Sequence, residues 1–95
     1  METWRLIDSC PKRASLNMAI DEAIAESVGK ELAPPTLRFY SWRPPAVSIG
    51  CYQKISEIDQ EACVLKNYDI VRRPTGGRAI LHDRELTYSV IAPID

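Results

Sequence analysis

The stretch Arg72-Arg73-Pro74-Thr75-Gly76-Gly77-Arg78-Ala79-Ile80-Leu81-His82-Asp83 carries the most information in this sequence. Its paired glycines admit positive φ and let a backbone come close to a ligand. Successive N–H groups in such a turn form an anion-binding concavity. Arg72, Arg73 and Arg78 lie close together along it, and a guanidinium grips a phosphate or carboxylate through two parallel hydrogen bonds. Ala79 and Ile80 then offer small apolar wall positions. A polar anchor beside an apolar slot suits an acyl chain with a polar or activated end. On spacing alone the stretch reads equally as a β-turn between two strands with solvated arginines. It lacks the Gly-Lys-Ser/Thr ending of a P-loop and the third glycine of a dinucleotide-binding turn.

Working outward, residues 78–81 and 86–91 read as strands joined by His82-Asp83-Arg84-Glu85, and residues 70–72 as a short strand before the turn at 74–77. Residues 56–66 suit a helix, with Ser56 and Asp59 approximating a capping box and Ile58, Ala62 and Leu65 as its apolar stripe. Upstream, residues 36–42 and 46–50 read as two strands across Arg43-Pro44-Pro45, close enough in sequence to be antiparallel neighbours. Residues 31–35 form a loop. Residues 14–28 give the clearest helix: Leu16, Ile20, Ala23, Ile24 and Val28 share a face, Asn17, Asp21, Glu22 and Glu26 fall largely elsewhere, Ser15 or a neighbour caps the start, and Gly29 stops it. Residues 4–7 form a first strand that ends at Asp8-Ser9-Cys10-Pro11. This order predicts an α+β fold with a mixed, mainly antiparallel sheet and flanking helices. The apolar strand at 86–91 has no helix after it, so one sheet face should stay uncovered, as in an incomplete domain that a second chain would complete.

Composition narrows the function. The 95 residues are 45% hydrophobic and 26% charged with net charge −1, which suits one small globular domain and implies no general attraction to nucleic acid or anionic membrane. No apolar run reaches the roughly 20 residues of a membrane span, and the N-terminus lacks a secretory pattern, so a cytoplasmic location is expected. Cys10, Cys51 and Cys63 are an odd, scattered set, read as reduced thiols, and with His82 the single histidine no metal site is expected. His82 reads as a hydrogen-bonded structural histidine whose tautomer Asp83 or a nearby carboxylate fixes.

The string from Arg72 to Asp83 resembles the Arg-Arg-x-Ser/Thr-Gly-Gly-x-Ala-Val-x-His-Asp signature of the lipoate–protein ligase A family, with Ile80 in place of valine. Trp4-Arg5-Leu6-Ile7-Asp8, Asn17-Met18-Ala19-Ile20-Asp21-Glu22-Ala23, Leu37-Arg38-Phe39-Tyr40-Ser41-Trp42 and Ser48-Ile49-Gly50-Cys51-Tyr52-Gln53 resemble further landmarks of that family. Where the ATP-dependent ligases carry a Gly-Asn element after His-Asp, this chain has Arg84-Glu85-Leu86-Thr87-Tyr88-Ser89, and Pro74 and Arg78 also depart from the ligase pattern. These departures are similar to the octanoyltransferase branch.

The resemblance implies the N-terminal part of a catalytic domain whose fold is shared with biotin protein ligases and the class II synthetase core. It implies octanoyl transfer from acyl carrier protein to a lysine of a lipoyl domain. Arg73, Thr75, Gly76, Gly77, Arg78, Ala79, Ile80, Leu81 and His82 would line the acyl pocket, with Asp21 and Glu22 close by. ATP and Mg²⁺ would enter only in the ligase alternative; otherwise no cofactor is expected. A non-catalytic acyl-binding chain that needs a partner is the third reading. In the octanoyltransferase branch the acyl-accepting cysteine and the lysine at the acyl carbonyl fall beyond residue 95. None of Cys10, Cys51 and Cys63 sits at the matching place, so these residues alone are expected to have no transfer activity.

Overall fold

The aromatic-rich strand turns a charge as well as a ring into the interior. In the computed structural model, which describes residues 3–93, β2 (Thr36–Tyr40) points Thr36, Arg38 and Tyr40 inward and leaves Leu37 and Phe39 half-buried on its other face. Around it the chain runs β1 (Arg5–Asp8), α1 (Ala14–Gly29), β2, β3 (Ala46–Ile49), a 3-10 turn (Ile55–Glu57), α2 (Gln60–Leu65), β4 (Asp69–Arg72), β5 (Ile80–His82) and β6 (Thr87–Ile91). The α+β class read from the sequence holds. Strand ends differ from the sequence reading by one or two residues, the ordinary fraying of element boundaries.

The strands form two three-stranded sheets, ordered β1-β2-β6 and β4-β3-β5. The central strand of each has one parallel and one antiparallel neighbour, so pairing is evenly mixed rather than mainly antiparallel. The reason is the connections: α1 joins β1 to β2 and α2 joins β3 to β4, and a helical crossover returns the chain parallel. The expected antiparallel pairing of β2 with β3 does not occur. The end of β2 is instead tied to the segment before α1, where Lys12 N–H donates to Ser41 O (3.3 Å) and Arg43 N–H to Lys12 O (2.9 Å). The chain then passes through Pro44-Pro45 into the second sheet.

The helices also depart from the simple apolar-stripe reading. α1 buries Ala14, Asn17, Met18, Ile24 and Val28, while Leu16 and Ala23 are exposed. The helix is rotated because Asn17 and Asp21, one turn apart on the same face, meet Arg38. Its N-cap is Arg13 without a side-chain cap, not Ser15. Gly29 is its last residue; left-handed Glu31 (φ 60°) closes the end, with Leu32 N–H donating to Ser27 O at 2.9 Å. In α2 the cap is Asp59, which accepts from Ala62 N–H at 3.1 Å, while Ser56 lies in the preceding 3-10 turn. Cys63 is the buried residue of α2 and Leu65 is 87% exposed, so the expected Ile58–Ala62–Leu65 stripe is not its packed face.

Arg38 is 0% exposed and is among the largest fully buried side chains. It donates to Asp21 Oδ1 (2.8 Å), Asn17 Oδ1 (2.8 Å), Asn17 O (3.0 Å) and Ser9 Oγ (3.2 Å), and its guanidinium lies 4.0 Å above the Tyr40 ring. Asn17 passes the connection on, donating from Nδ2 to Lys12 O and Ser41 O. No buried side-chain nitrogen or oxygen among the described residues lacks a partner. α1 packs across β2, β4 and β6. On the opposite face of the first sheet, Leu6, Leu37 and Val90 align in one row and Phe39 and Tyr88 in another. Leu6, Tyr88 and Val90 there are exposed, which is the uncovered face expected, and the molecule is only 15 Å across in its thinnest dimension.

Breaking a buried pair by removing one partner costs about 3–5 kcal/mol, because the other charge stays buried and unpaired. Arg38→Ala should therefore abolish cooperative urea unfolding or lower the unfolding free energy extrapolated to water by that amount. Arg38→Lys should restore little, since an ammonium cannot serve Asp21, Asn17 and Ser9 from one planar fork.

Candidate functional site

The Arg72-to-Asp83 stretch folds as a clasp on the end of β3. Gly77 adopts φ +101°, and a Cβ added at Gly50 would stand 2.0 Å from Gly77 O. These two glycines therefore serve the approach of two backbones to each other. Cys51 N–H donates to Thr75 O at 2.8 Å and adds to the clasp. Arg72 Nη1 donates to the carbonyls of Gly50 (2.9 Å), Cys51 (3.3 Å) and Gln53 (2.7 Å). Arg73 Nη1 donates to Ser48 O (2.9 Å) and Ser48 Oγ (3.0 Å), and Nη2 to the carbonyls of Gly76 (3.0 Å) and Arg78 (2.7 Å). Both guanidinium groups thus hold the turn in shape, and Arg78 is exposed.

Beside the clasp opens a cleft of about 440 Å³ between α1, β6 and the loop at 73–75. That volume lies within the range of small-molecule sites. Met18, Ala25, Trp42, Ile80 and Ile91 give it apolar walls. Of the residues singled out in the sequence, Arg73, Thr75, Ile80 and His82 line it; Gly76, Gly77, Arg78, Ala79 and Leu81 do not. Asp21 lines it as expected, whereas Glu22 is exposed and outside it.

Two polar networks meet this cleft. In one, Asp21 Oδ2 accepts from Ser89 Oγ (2.7 Å) and Tyr40 OH (3.1 Å) while Oδ1 holds Arg38. Burial, with Asp21 nearby, pushes the Tyr40 phenol up to about 12, so it stays a donor at neutral pH. In the other, His82 is a residue of β5, pinned between Ser48 Oγ at Nε2 (2.8 Å) and Glu85 Oε1 at Nδ1 (3.1 Å). Its carboxylate partner is Glu85, not Asp83. Its ring stacks on Trp42 with centroids 4.2 Å apart and 14° between planes. Burial lowers the His82 pKa below its ordinary 6.5, Glu85 opposes the shift and Arg73 adds to it. The sequence reading missed Ser48, Trp42, Glu85, Thr87 and Ser89 as site residues. The alternation of Glu85, Thr87 and Ser89 leading into and along β6 was the available signal, hidden because Leu86, Tyr88 and Val90 between them look like the buried set and are the exposed one.

Among the described residues no cluster of metal-ligating side chains occurs. None of the three cysteines lines the cleft; Cys10 is exposed, Cys51 partly exposed and Cys63 buried.

The chain belongs to the lipoyl protein ligase A/B catalytic domain family, whose pattern covers residues 13–95. It is 54% identical over 92 residues to the octanoyltransferase LipM of Halalkalibacterium halodurans, spanning 96% of this chain and 33% of that protein. It is 57% identical over 93 residues to the LipM of Symbiobacterium thermophilum, spanning 96% and 34%. Among solved structures, lipoate-protein ligase A bound with ATP superposes with a TM-score of 0.87 at 35% identity, covering 100% of this chain and 38% of that one. Protein Ta0514 of T. acidophilum with bound lipoic acid superposes with a TM-score of 0.85 at 35% identity, covering 100% and 39%. The chain therefore spans about a third of the length of the curated relatives it matches.

Because the folded state depresses the His82 pKa, the unfolded chain binds the proton first as pH falls. Stability should be full above about pH 6.5 and decline below it. With one histidine in the chain, His82 dominates between about pH 7.5 and 5.5. The urea midpoint should drop as pH falls from about 6.5 to 5.5 in the wild type and stay nearly flat in His82→Gln.

Proposed function

We propose that this chain supplies the acyl-binding part of an octanoyltransferase, which moves octanoyl from acyl carrier protein to a lysine of a lipoyl domain. The observation that carries this reading is the apolar cleft bounded by Met18, Trp42, Ile80 and Ile91 with the Arg73-held clasp at its rim. The high identity to LipM proteins along almost the whole chain supports the transferase over the ligase. In this reading the thioester end of the donor sits toward Arg73, Thr75 and His82, and the alkyl chain lies along Ile80, Met18 and Ile91. The reaction calls for no ATP or Mg²⁺, and the enzyme works in the cytoplasm. No helix among the described residues is long and apolar enough to cross a membrane.

Acyl transfer through a covalent intermediate requires a thiolate at the acyl carbonyl. No cysteine lines this cleft, so the 95 residues hold the acyl group without transferring it. Chain outside these residues, in the same or a second polypeptide, supplies the nucleophile.

Titration of the 95-residue chain with sodium octanoate should give saturable one-site binding by calorimetry. Ile80 is about half exposed, so Ile80→Glu should leave the fold intact and weaken binding by about tenfold or more, since a carboxylate would be desolvated against the alkyl chain. Octanoyl carrier protein plus a lipoyl domain should give no octanoylated product with this chain alone. Release of pyrophosphate on adding octanoate, ATP and Mg²⁺ would replace the transferase reading with the ligase one.

A further inference from the structure

The two sheets share no strand pairing, yet their facing ends are joined by one line of hydrogen bonds through a stacked ring pair. Trp42 follows β2 and Thr87 opens β6 in the first sheet; Ser48 in β3 and His82 in β5 belong to the second. Trp42 Nε1 donates to Thr87 Oγ1 (2.8 Å), and Thr87 Oγ1 donates to Glu85 Oε2 (3.0 Å). The other oxygen of the same carboxylate, Oε1, meets His82 Nδ1 at 3.1 Å. At the far edge of the imidazole, Nε2 meets Ser48 Oγ (2.8 Å), which accepts from Arg73 (3.0 Å). Arg84, at φ 52°, turns the chain so that Glu85 folds back on His82.

The proton positions along this line follow from the partners. A carboxylate only accepts, so Nδ1 carries the hydrogen. The neutral ring then accepts at Nε2, and Ser48 O–H donates to it. Ser48, His82 and Glu85 have the connectivity of a serine hydrolase triad. Ser48, however, is 1% exposed and its oxygen already accepts from Arg73, so the hydroxyl is a link in the chain and is not presented to the cleft as a nucleophile.

We infer that Glu85 and Thr87 are positioning residues of the cleft: one carboxylate, acting directly on His82 and through Thr87 on Trp42, locks the stacked rings as a fixed wall for the acyl chain. The inference rests on the acyl-binding reading of the same cleft. A stacked pair alone is free to slide and rotate; here each ring is held by its N–H, and His82 at both edges. The charged groups that face His82 among the described residues are Glu85 and Arg73. Both Trp42 and His82 line the cleft, as does Thr87, so an error in ring placement changes the slot directly.

Nitrogen-15 NMR on the 95-residue chain reads this directly, because its single histidine gives a single imidazole signal set. At neutral pH the wild type should show a neutral ring protonated at Nδ1. Glu85→Gln, which keeps an accepting oxygen, should retain that tautomer. Glu85→Ala, which removes the acceptor of both His82 and Thr87, should shift it toward the Nε2–H form and weaken sodium octanoate binding by about tenfold or more. Thr87→Val should keep the tautomer and weaken octanoate binding by about threefold, since only Trp42 is released. Dispersed amide spectra establish that each variant is folded; if Glu85→Ala unfolds, Glu85→Gln should bind octanoate as the wild type does while Thr87→Val binds it about threefold more weakly, and equal affinities of these two variants overturn the inference. An Nε2–H tautomer in the wild type overturns the inference, as does a folded Glu85→Ala with unchanged tautomer and affinity. A tautomer that responds to Glu85 in a chain that binds no octanoate leaves the ring positioning standing and removes the acyl reading.

Discussion

Arg38 organises this molecule. A guanidinium enclosed completely by protein is stable only if its donors are matched, and Asn17, Asp21 and Ser9 match them from three directions. That requirement sets the rotation of α1 on the first sheet, brings Asp21 to the cleft, and through Asn17 ties the end of β2 to the segment before the helix. Apolar side chains would pack as well in several rotations of a helix. A planar fork with fixed acceptors admits one, so the buried charge supplies specificity where apolar burial supplies bulk stabilisation.

The second sheet is built around a different constraint, the close passage of two backbones at Gly50 and Gly77. Arg72 and Arg73 bind the carbonyls of the loops that meet there. The basic character of the clasp thus belongs first to its shape, and the cleft inherits a rigid rim from it. The rings of Trp42 and His82 bridge this rim to the first sheet. The same neighbourhood that buries His82 keeps its imidazole neutral, which suits a wall residue better than a proton carrier.

Much of this was legible along the chain. Element order, the two helices, the tight turn at 74–77 and the hydrogen-bonded role of His82 follow from periodicity, breakers and side-chain chemistry. The resemblance of Arg72-to-Asp83 located the cleft, and four of the nine residues carried over from it line that cleft. The other five do not, because alternation on a short strand sends Leu81 to the far side, Gly77 lies against Gly50 and Arg73, and Gly76, Arg78 and Ala79 face open space or solvent.

The sequence by itself determined the α+β class, the family and the tight turn at 74–77, since these depend on local propensity and on a contiguous string of residues; that the turn closes as a clasp on Gly50 was decided by the tertiary structure. Only the tertiary structure decided that β2 and β3 part into separate sheets and that each helical crossover makes a parallel pair. It alone decided that Arg38 and Asn17 lie in the core and that Glu85 rather than Asp83 holds the histidine. These are matters of partners far apart in the chain: Asp21 with Ser89, Trp42 with Thr87, Ser48 with His82. A polar residue scores as surface until its partner is known. The burial of these groups became favourable only once folding had brought donor and acceptor together out of water.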